Sequence, residues 1–492
     1  MKGILSISAL LFFCIVYGQN INFLTTYGNS GYDIAKDIKQ DLDTGYICTG
    51  GSSSFYPDNG EAYLLKVDSL GNFKWSYNYG GSGSEWGESV VVTNDSAYAL
   101  CGFTNSFGNG GFDFYLIKTL NDGTPEFEKT YGGTDWDKAF DLIQMPDSGY
   151  VLVGETYSYG QGNGDIYMIR TDKLGDTLWT RTYGGTENDY AKAVILDGDS
   201  LVVVGGTESF GAGMSDGIIL KYHIDGSLGW VQYVGKERND FFTSIVKNPG
   251  NEYFIGGSRH YYYDQTGFLA DFWIYNITDD GNTLLADTSL TGGSHEVEIA
   301  HDITVDMVDN IFYGGETKSF GYSLNDNKPD AFLGKLLNNY YQSAYVNNFG
   351  HAGEDVLYAI DFCYDLGIVG CGKLKYGSSG GMNMFIVRVD KFNSGGGISV
   401  LNELDSSIIT LSYEEMIHAE ELLIYPTVVE SNLNFSGFPP NANVMVTSMN
   451  GQIVIPNEKL KMVMDLSELA PGLYIVTIIA DDQRYSHKII KN

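Results

Sequence analysis

YGGTDWDKAFDLIQMPDSGYVLVGETYSYGQGNGDIYMIRTDKLGDTLWTRT, residues 131–182, is one copy of a unit that recurs along a 492-residue chain. Its landmark is an aromatic residue followed by Gly: Tyr27-Gly28, Tyr79-Gly80, Tyr131-Gly132 and Tyr183-Gly184, with degenerate copies at Val234-Gly235, Thr291-Gly292 and Phe349-Gly350. The glycines are 52, 52, 52, 51, 57 and 58 residues apart, which gives seven units. Each unit holds four short runs rich in Tyr, Val, Ile and Thr. In the third copy these are Ala139–Met145, Tyr150–Thr156, Ile166–Thr171 and Thr177–Tyr183, parted by Pro-Asp-Ser-Gly, a Gly-rich loop and Lys-Leu-Gly-Asp. Those are strand and turn signals. Runs such as Val151-Leu152-Val153 are apolar on both faces, so their strands need cover on both sides. Four-stranded sheets set radially around an axis supply it, and the pattern predicts an all-β, seven-bladed β-propeller.

The same spacing predicts how the ring closes. A hydrophobic or aromatic residue stands five positions before the landmark Gly at Trp75, Phe127, Trp179, Trp230 and Tyr345, and Phe23 keeps the offset although no full unit precedes it. The seventh unit stops near Asn393, one strand short. Residues 21–27 are therefore expected to supply the outer strand of the last blade, which removes two open sheet edges. Asp287 replaces the aromatic in the sixth blade and weakens its outer strand.

The ends differ in texture. Residues 1–18, MKGILSISALLFFCIVYG, place Lys2 ahead of an apolar run that ends at a small residue, as a signal peptide does. Cleavage is expected near Gly18-Gln19, leaving a propeller at 19–393. Residues 394–420 open on Ser-Gly-Gly-Gly and read as a linker. Short strand-like runs and turns then fill 421–492, a small Ig-like β-sandwich.

Within that tail, LLIYPTVVESNLNF, VMVTSMNGQIV, MDLSELAPGLYIVTI and HKIIKN resemble the C-terminal sorting domain of the type IX secretion system of Bacteroidetes, type A. Pro426-Thr427-Val428 stands where that family usually has Pro-Asn-Pro. The resemblance implies passage across both membranes, recognition of residues 421–492 by the secretion machinery, and a secreted or cell-surface location. It implies no catalysis by the tail. The units at 21–393 are similar to Gly- and Trp-containing bacterial propeller repeats found ahead of such tails.

Net charge is −33, from 62 acidic and 29 basic residues, which excludes a basic nucleic-acid footprint. A membrane is expected only during export or through surface attachment. Cys363 and Cys371 flank an Asp-Leu-Gly turn and are either buried thiols or a disulfide.

A site is expected on the face that carries the blade-to-blade and second-to-third connections, the longer ones. Trp86 and Trp136 are placed in blade-to-blade loops, and Arg259, His260, Tyr261, Tyr262, Tyr263 and Asp264 in the second-to-third loop of unit five. Their aromatic faces suit a sugar or a protein. His260, His295 and His351 fall in connections of units five to seven and are weak metal candidates. Asp33, Asp137, Asp189, Asp240 and Asp355 recur at one offset, and Asp113, Asp165, Asp216, Asp271 and Asp330 at another. They read as turn caps, with a calcium ring as the other reading; no cofactor is otherwise expected. There is no Gly-x-Ser-x-Gly and no His-Glu-x-x-His. The expectation is a non-enzymatic module for a glycan or protein. Its rivals are a glycan hydrolase or lyase with a carboxylate pair at the axis, and a purely structural surface protein.

Overall fold

The computed structural model describes residues 21–28, 31–53, 60–248, 250–263, 267–290, 298–306, 309–318, 328–336, 343–350, 353–375, 381–389, 397–401, 423–425, 428–429, 432–436, 443–448, 452–461, 463–480 and 483–491. These residues are strands, turns and loops, with no helix among them. Residues 21–389 form seven antiparallel sheets. Their first strands are Asp33–Gln40, Glu85–Val92, Asp137–Gln144, Asp189–Asp197, Asp240–Lys247, Glu298–Val305 and Val356–Phe362. Each first strand packs against the next, and the seventh returns to the first.

Sheet three shows why the sequence folds this way. Asp137–Gln144, Tyr150–Thr156, Asp165–Thr171 and Thr177–Tyr183 pair in chain order. Met145 and Gly149 close the first hairpin, with Ser148 in the left-handed region at φ 67. Tyr150 and Leu152 enter the core shared with sheet two, while Val151 and Val153 enter the core shared with sheet four. That division explains an apolar run without alternation. Each such side chain contributes about 1.5–3 kcal/mol on burial.

The landmark tyrosine also has a physical role. From the end of an outer strand its hydroxyl reaches a turn carbonyl of the next sheet: Tyr79 donates to Gly123 O at 2.6 Å and Tyr131 to Gly175 O at 2.6 Å. Tyr27 donates to Gly71 O in the same way. Its strand, Ile21–Tyr27, pairs antiparallel with Asn383–Val389, placing Phe23 opposite Arg388. Phe23 packs with Tyr46 of sheet one, ring centroids 6.0 Å apart.

Two details depart from the sequence reading, and the alternative left open for the cysteines resolves to thiols. Gly397–Leu401, within the stretch expected to link the domains, is a strand that adds in parallel to Ser343–Phe349 of sheet six. Cys363 and Cys371 are free and buried. Cys371 stands opposite Ala359, so the two thiols do not share a cross-strand position. Arg259–Tyr263 are strand, not loop, as described below.

The tail has a three-stranded sheet, Leu423–Tyr425, Asn432–Ser436 and Val463–Asp465. A five-stranded sheet joins Val428–Val429, Gln483–Lys491, Gly472–Ala480, Asn443–Ser448 and Ile453–Lys459. Leu433 and Met464 of the first sheet meet Val444, Val446, Tyr474, Val476 and Ile478 of the second in one apolar core.

Candidate functional site

All seven first strands carry a β-bulge at their fourth position, or its equivalent in the seventh. A bulge leaves one residue out of the ladder and re-aims its side chain. Those residues are Lys36, Glu88, Phe140, Lys192, Thr243, His301 and Tyr358, and every one is half-buried, although the residue before each is buried. Several of them touch a neighbour around the ring. Lys36 Nζ lies 3.5 Å from Glu88 Oε2 and 4.6 Å above the Tyr358 ring. His301 and Tyr358 have ring centroids 5.1 Å apart. Lys192 Nζ sits 3.5 Å above Phe140, and Thr243 Oγ1 donates to Ala300 O at 2.9 Å. A bulge in the innermost strand of each sheet thus presents seven side chains of six kinds to the axis.

An aromatic ledge stands between this ring and the looped face. Trp136, 51% exposed, meets Phe112 edge-on at 5.8 Å. Phe112 in turn meets Phe103 edge-on at 5.1 Å. Lys138 lies over the Trp136 ring at 4.8 Å and the Phe103 ring at 5.4 Å. Glu155 is the cross-strand neighbour of Lys138. Tyr190 lies beside Lys192, 5.5 Å from its ammonium.

The charges here are held in a poorly hydrated place. Burial pushes Glu155 up, although Lys192 and Lys138 pull it down. Burial likewise pushes Lys192 down, opposed by Glu88 and Glu155 and reinforced by Lys36 and Lys138. His301 is pushed down to about 3 by burial and by the fields of Lys36, Lys192 and Lys373. It is neutral, and its Nε2 is buried without a hydrogen-bond partner. On the side away from the loops the axis is acidic. Burial pulls Lys39 down, but Asp37, Asp361 and Asp302 more than compensate and hold its ammonium charged.

The residues picked from sequence separate into groups. Trp136 is in a loop ahead of sheet three, as expected. Trp86 is not: it is the second residue of strand Glu85–Val92, and its indole lies on Gly51, where a Cβ would stand 2.2 Å from Cε3. Glu85 replaces the aspartate of other units and starts the strand there, so Trp86 is half-buried between sheets one and two. Arg259 to Tyr263 continue strand Glu252–Tyr263, paired with Gly267–Thr278. Successive β-forming tyrosines lengthen that hairpin to 12 residues a strand. Asp264 lies outside the described residues. The His260 backbone N–H donates to Asn239 O at 3.0 Å, and its imidazole, pushed down by burial, meets Phe241 edge-on at 6.0 Å. His295 and His351 lie outside the described residues. Among the described residues no three His, Cys, Asp or Glu are grouped to hold a metal.

The recurrent aspartates are buried. Asp137 accepts from Gly133 N at 2.7 Å and Ser158 Oγ at 2.8 Å, and Asp189 from Gly185 N at 2.8 Å and Ser209 Oγ at 2.7 Å. Asp165 accepts from Gln161 N at 2.9 Å, and Asp216 from Ala212 N at 2.7 Å. Burial raises Asp113 and Asp165, and the facing Asp137 and Asp189 add to it. Sequence reasoning missed the bulge ring. Its signal was present in the units already aligned: one column, three residues after the recurrent carboxylate, that never repeats a side chain except Lys.

Residues 423–492 match the secretion system C-terminal sorting domain. The chain is exported through the type IX route to the cell surface or beyond, and its tail engages the secretion machinery. No curated protein matches the chain. Among solved structures it is similar to PorZ, a surface component of the type IX secretion system of Porphyromonas gingivalis, at 12% identity and TM-score 0.40. That match covers 92% of this chain, which spans only 60% of the PorZ chain. It is also similar to the Pan2 WD40 domain of Neurospora crassa, at 9% identity and TM-score 0.44 over 74% of this chain and 91% of that one. A protein of unknown function from Dyadobacter fermentans matches at 11% identity and TM-score 0.42, over 77% of this chain and all of the other.

Proposed function

We propose that this exported protein carries a seven-bladed propeller at residues 19–393, joined by 394–420 to an Ig-like sorting domain at 421–492, and that the propeller is a non-enzymatic binding module. Its ligand is a glycan or a protein, taken at the looped face over the axial mouth. One observation carries this reading. A fixed backbone position presents six different, partly open side chains over seven sheets, only Lys recurring, beneath an aromatic ledge. Fold alone selects no such variety, and function resides in sites set on folds. A glycan array and a pull-down with the mature chain test it. Capture of a glycan or a defined protein, lost on Trp136→Ala, is expected. Silence in both assays favours a purely structural surface protein.

A second reading has its own support. Glu88 and Glu155 both act on Lys192, and Glu155 is raised by burial, as a general acid requires. Release of new reducing or unsaturated ends from a polysaccharide, abolished by Glu155→Gln, would make the protein an enzyme. Binding without product formation keeps the first reading.

A further inference from the structure

The chain has 62 carboxylates for 29 Lys and Arg residues, so cations meet carboxylates easily. Elsewhere in the ring they do: Lys66 lies between Asp41 and Asp43 at 2.7 Å from the latter, and Lys118 is 3.0 Å from Asp95 and 3.3 Å from Glu126. Lys138 and Lys192 differ. Among the described residues neither has an ion pair, and both ammonium groups rest on aromatic faces, Lys192 on Phe140 at 3.5 Å and Lys138 on Trp136 at 4.8 Å. A ring face attracts a cation by about 0.5–2 kcal/mol. That orients the charge without neutralising it. Two oriented, unneutralised ammonium groups at one mouth of a chain of net charge −33 need explaining.

Glu155, the cross-strand neighbour of Lys138, forms no ion pair with either lysine among the described residues, and burial raises it in spite of both. His301, across the axis, is pushed down first by burial and then by the fields of Lys36, Lys192 and Lys373. An anion entering here would meet charge-assisted donors already fixed in place. The aromatic surfaces beside those donors are flat and apolar: Trp136 is open, and Phe140 and Tyr190 are partly open. Such faces match the C–H face of a pyranose, whose ring carboxylate or sulfate projects from its edge.

We propose that the mouth between sheets three and four is a subsite for an anionic sugar, its charge received by Lys192 and Lys138 and its ring by the aromatics beside them. This rests on the glycan-binding reading and narrows it to acidic polysaccharides. The ligand chemistry is a pyranose bearing a carboxylate or a sulfate ester.

The test titrates the mature chain with polygalacturonate, the same polymer fully methyl-esterified, alginate, hyaluronan and chondroitin sulfate. At least one acidic polymer is expected to bind, and esterification is expected to weaken binding about tenfold or more where the uronate is the ligand. Preference for the sulfated polymer assigns the charge to the ester. Lys192→Gln and Lys138→Gln each lower affinity for the acidic polymer, and Lys192→Arg retains it. Equal binding of free and esterified polymer, with no preference for sulfate, overturns the anionic subsite and leaves glycan binding standing. Unchanged affinity in both Gln variants does the same. No binding to any polymer, with capture of a protein instead, overturns the glycan reading itself. Circular dichroism and melting of each variant separate lost affinity from lost fold.

Discussion

Two rings of side chains lie three residues apart on the same strands, and they obey opposite rules. At the collar nearest the loops every sheet places a carboxylate and buries it: Asp33, Glu85, Asp137, Asp189, Asp240, Glu298 and Asp355 are at most 1% exposed. At the bulge the sheets place Lys, Glu, Phe, Lys, Thr, His and Tyr, all half-open. The collar is uniform because its task is local. Each junction turns the chain in the same way and presents the same N–H groups to be satisfied. The bulge has equally constant backbone geometry, so nothing in the fold selects among its residues. The residue that recurs holds the ring together, and the position that varies is the one we propose for a ligand.

The sharpest way to break that contrast is to remove a collar carboxylate. Asp137→Ala leaves the Gly133 N–H and Ser158 hydroxyl without their acceptor. It is expected to cost about 3 kcal/mol by urea unfolding, since orphaned buried groups carry their full desolvation penalty. Gly184→Ala is expected to follow at about 2 kcal/mol. A Cβ there would stand 2.0 Å from Asp165 Oδ1 and 2.7 Å from Asp189 Oδ2, forcing apart two carboxylates that face each other across the glycine. If either change is silent, the collar is not structural and its aspartates are open to another role.

A subtler test uses pH next to the bulge. Asp141 follows Phe140, and its Oδ2 accepts from Val194 N of the next sheet at 2.8 Å. Ser89 Oγ lies 2.8 Å from Asp141 Oδ1 and 3.0 Å from Asp37 Oδ2, but one hydroxyl proton serves one acceptor. A proton on Asp141 resolves the conflict. Burial raises Asp141 to about 7, only partly offset by its hydrogen bonds from Val194 and Ser89. Its folded pKa therefore exceeds the unfolded value of about 3.9. Between these values the folded chain keeps a proton that the unfolded chain has lost. This contribution favours folding below the window and is lost as pH rises through it. Asp302, raised by burial to about 6, acts in the same direction. From pH 5 to pH 8 the Tm difference between Asp141→Asn and the parent should move in favour of the variant. A constant difference would show that Asp141 is ionised throughout.

How far these rings were legible follows from what repetition can encode. The glycine landmarks, Phe23 at the familiar offset and doubly apolar runs such as Val151-Leu152-Val153 are local signals that recur, and Tyr27, Tyr79, Tyr131, Phe23 and Val151 to Val153 are answered by a hydrogen bond or a shared core. The aspartates read correctly as caps for the same reason. Trp86 and Tyr261 were misplaced because strand ends depend on pairing: Trp86 stands one residue inside the strand that Glu85 opens at the offset the aspartates use, and the tyrosines near 261 extend theirs. The bulge ring stayed hidden because it requires knowing that one residue of eight leaves the ladder. That is a property of two strands in register, and no single strand contains it.

The smallest expected effect belongs to the bulge ring itself. Lys192→Gln removes a cation held by Phe140 but leaves the ladder on both sides of the bulge intact, from Ala191 opposite Gly205 to Ala193 opposite Val204. Its effect on unfolding free energy should stay within about 0.5–1 kcal/mol, as for substitutions that break no buried network. Against about 3 kcal/mol for Asp137→Ala, that difference is readily measured by urea titration. A bulge substitution as costly as a collar one would mean that the axial side chains prop the ring open, and their variety would then record packing, not recognition.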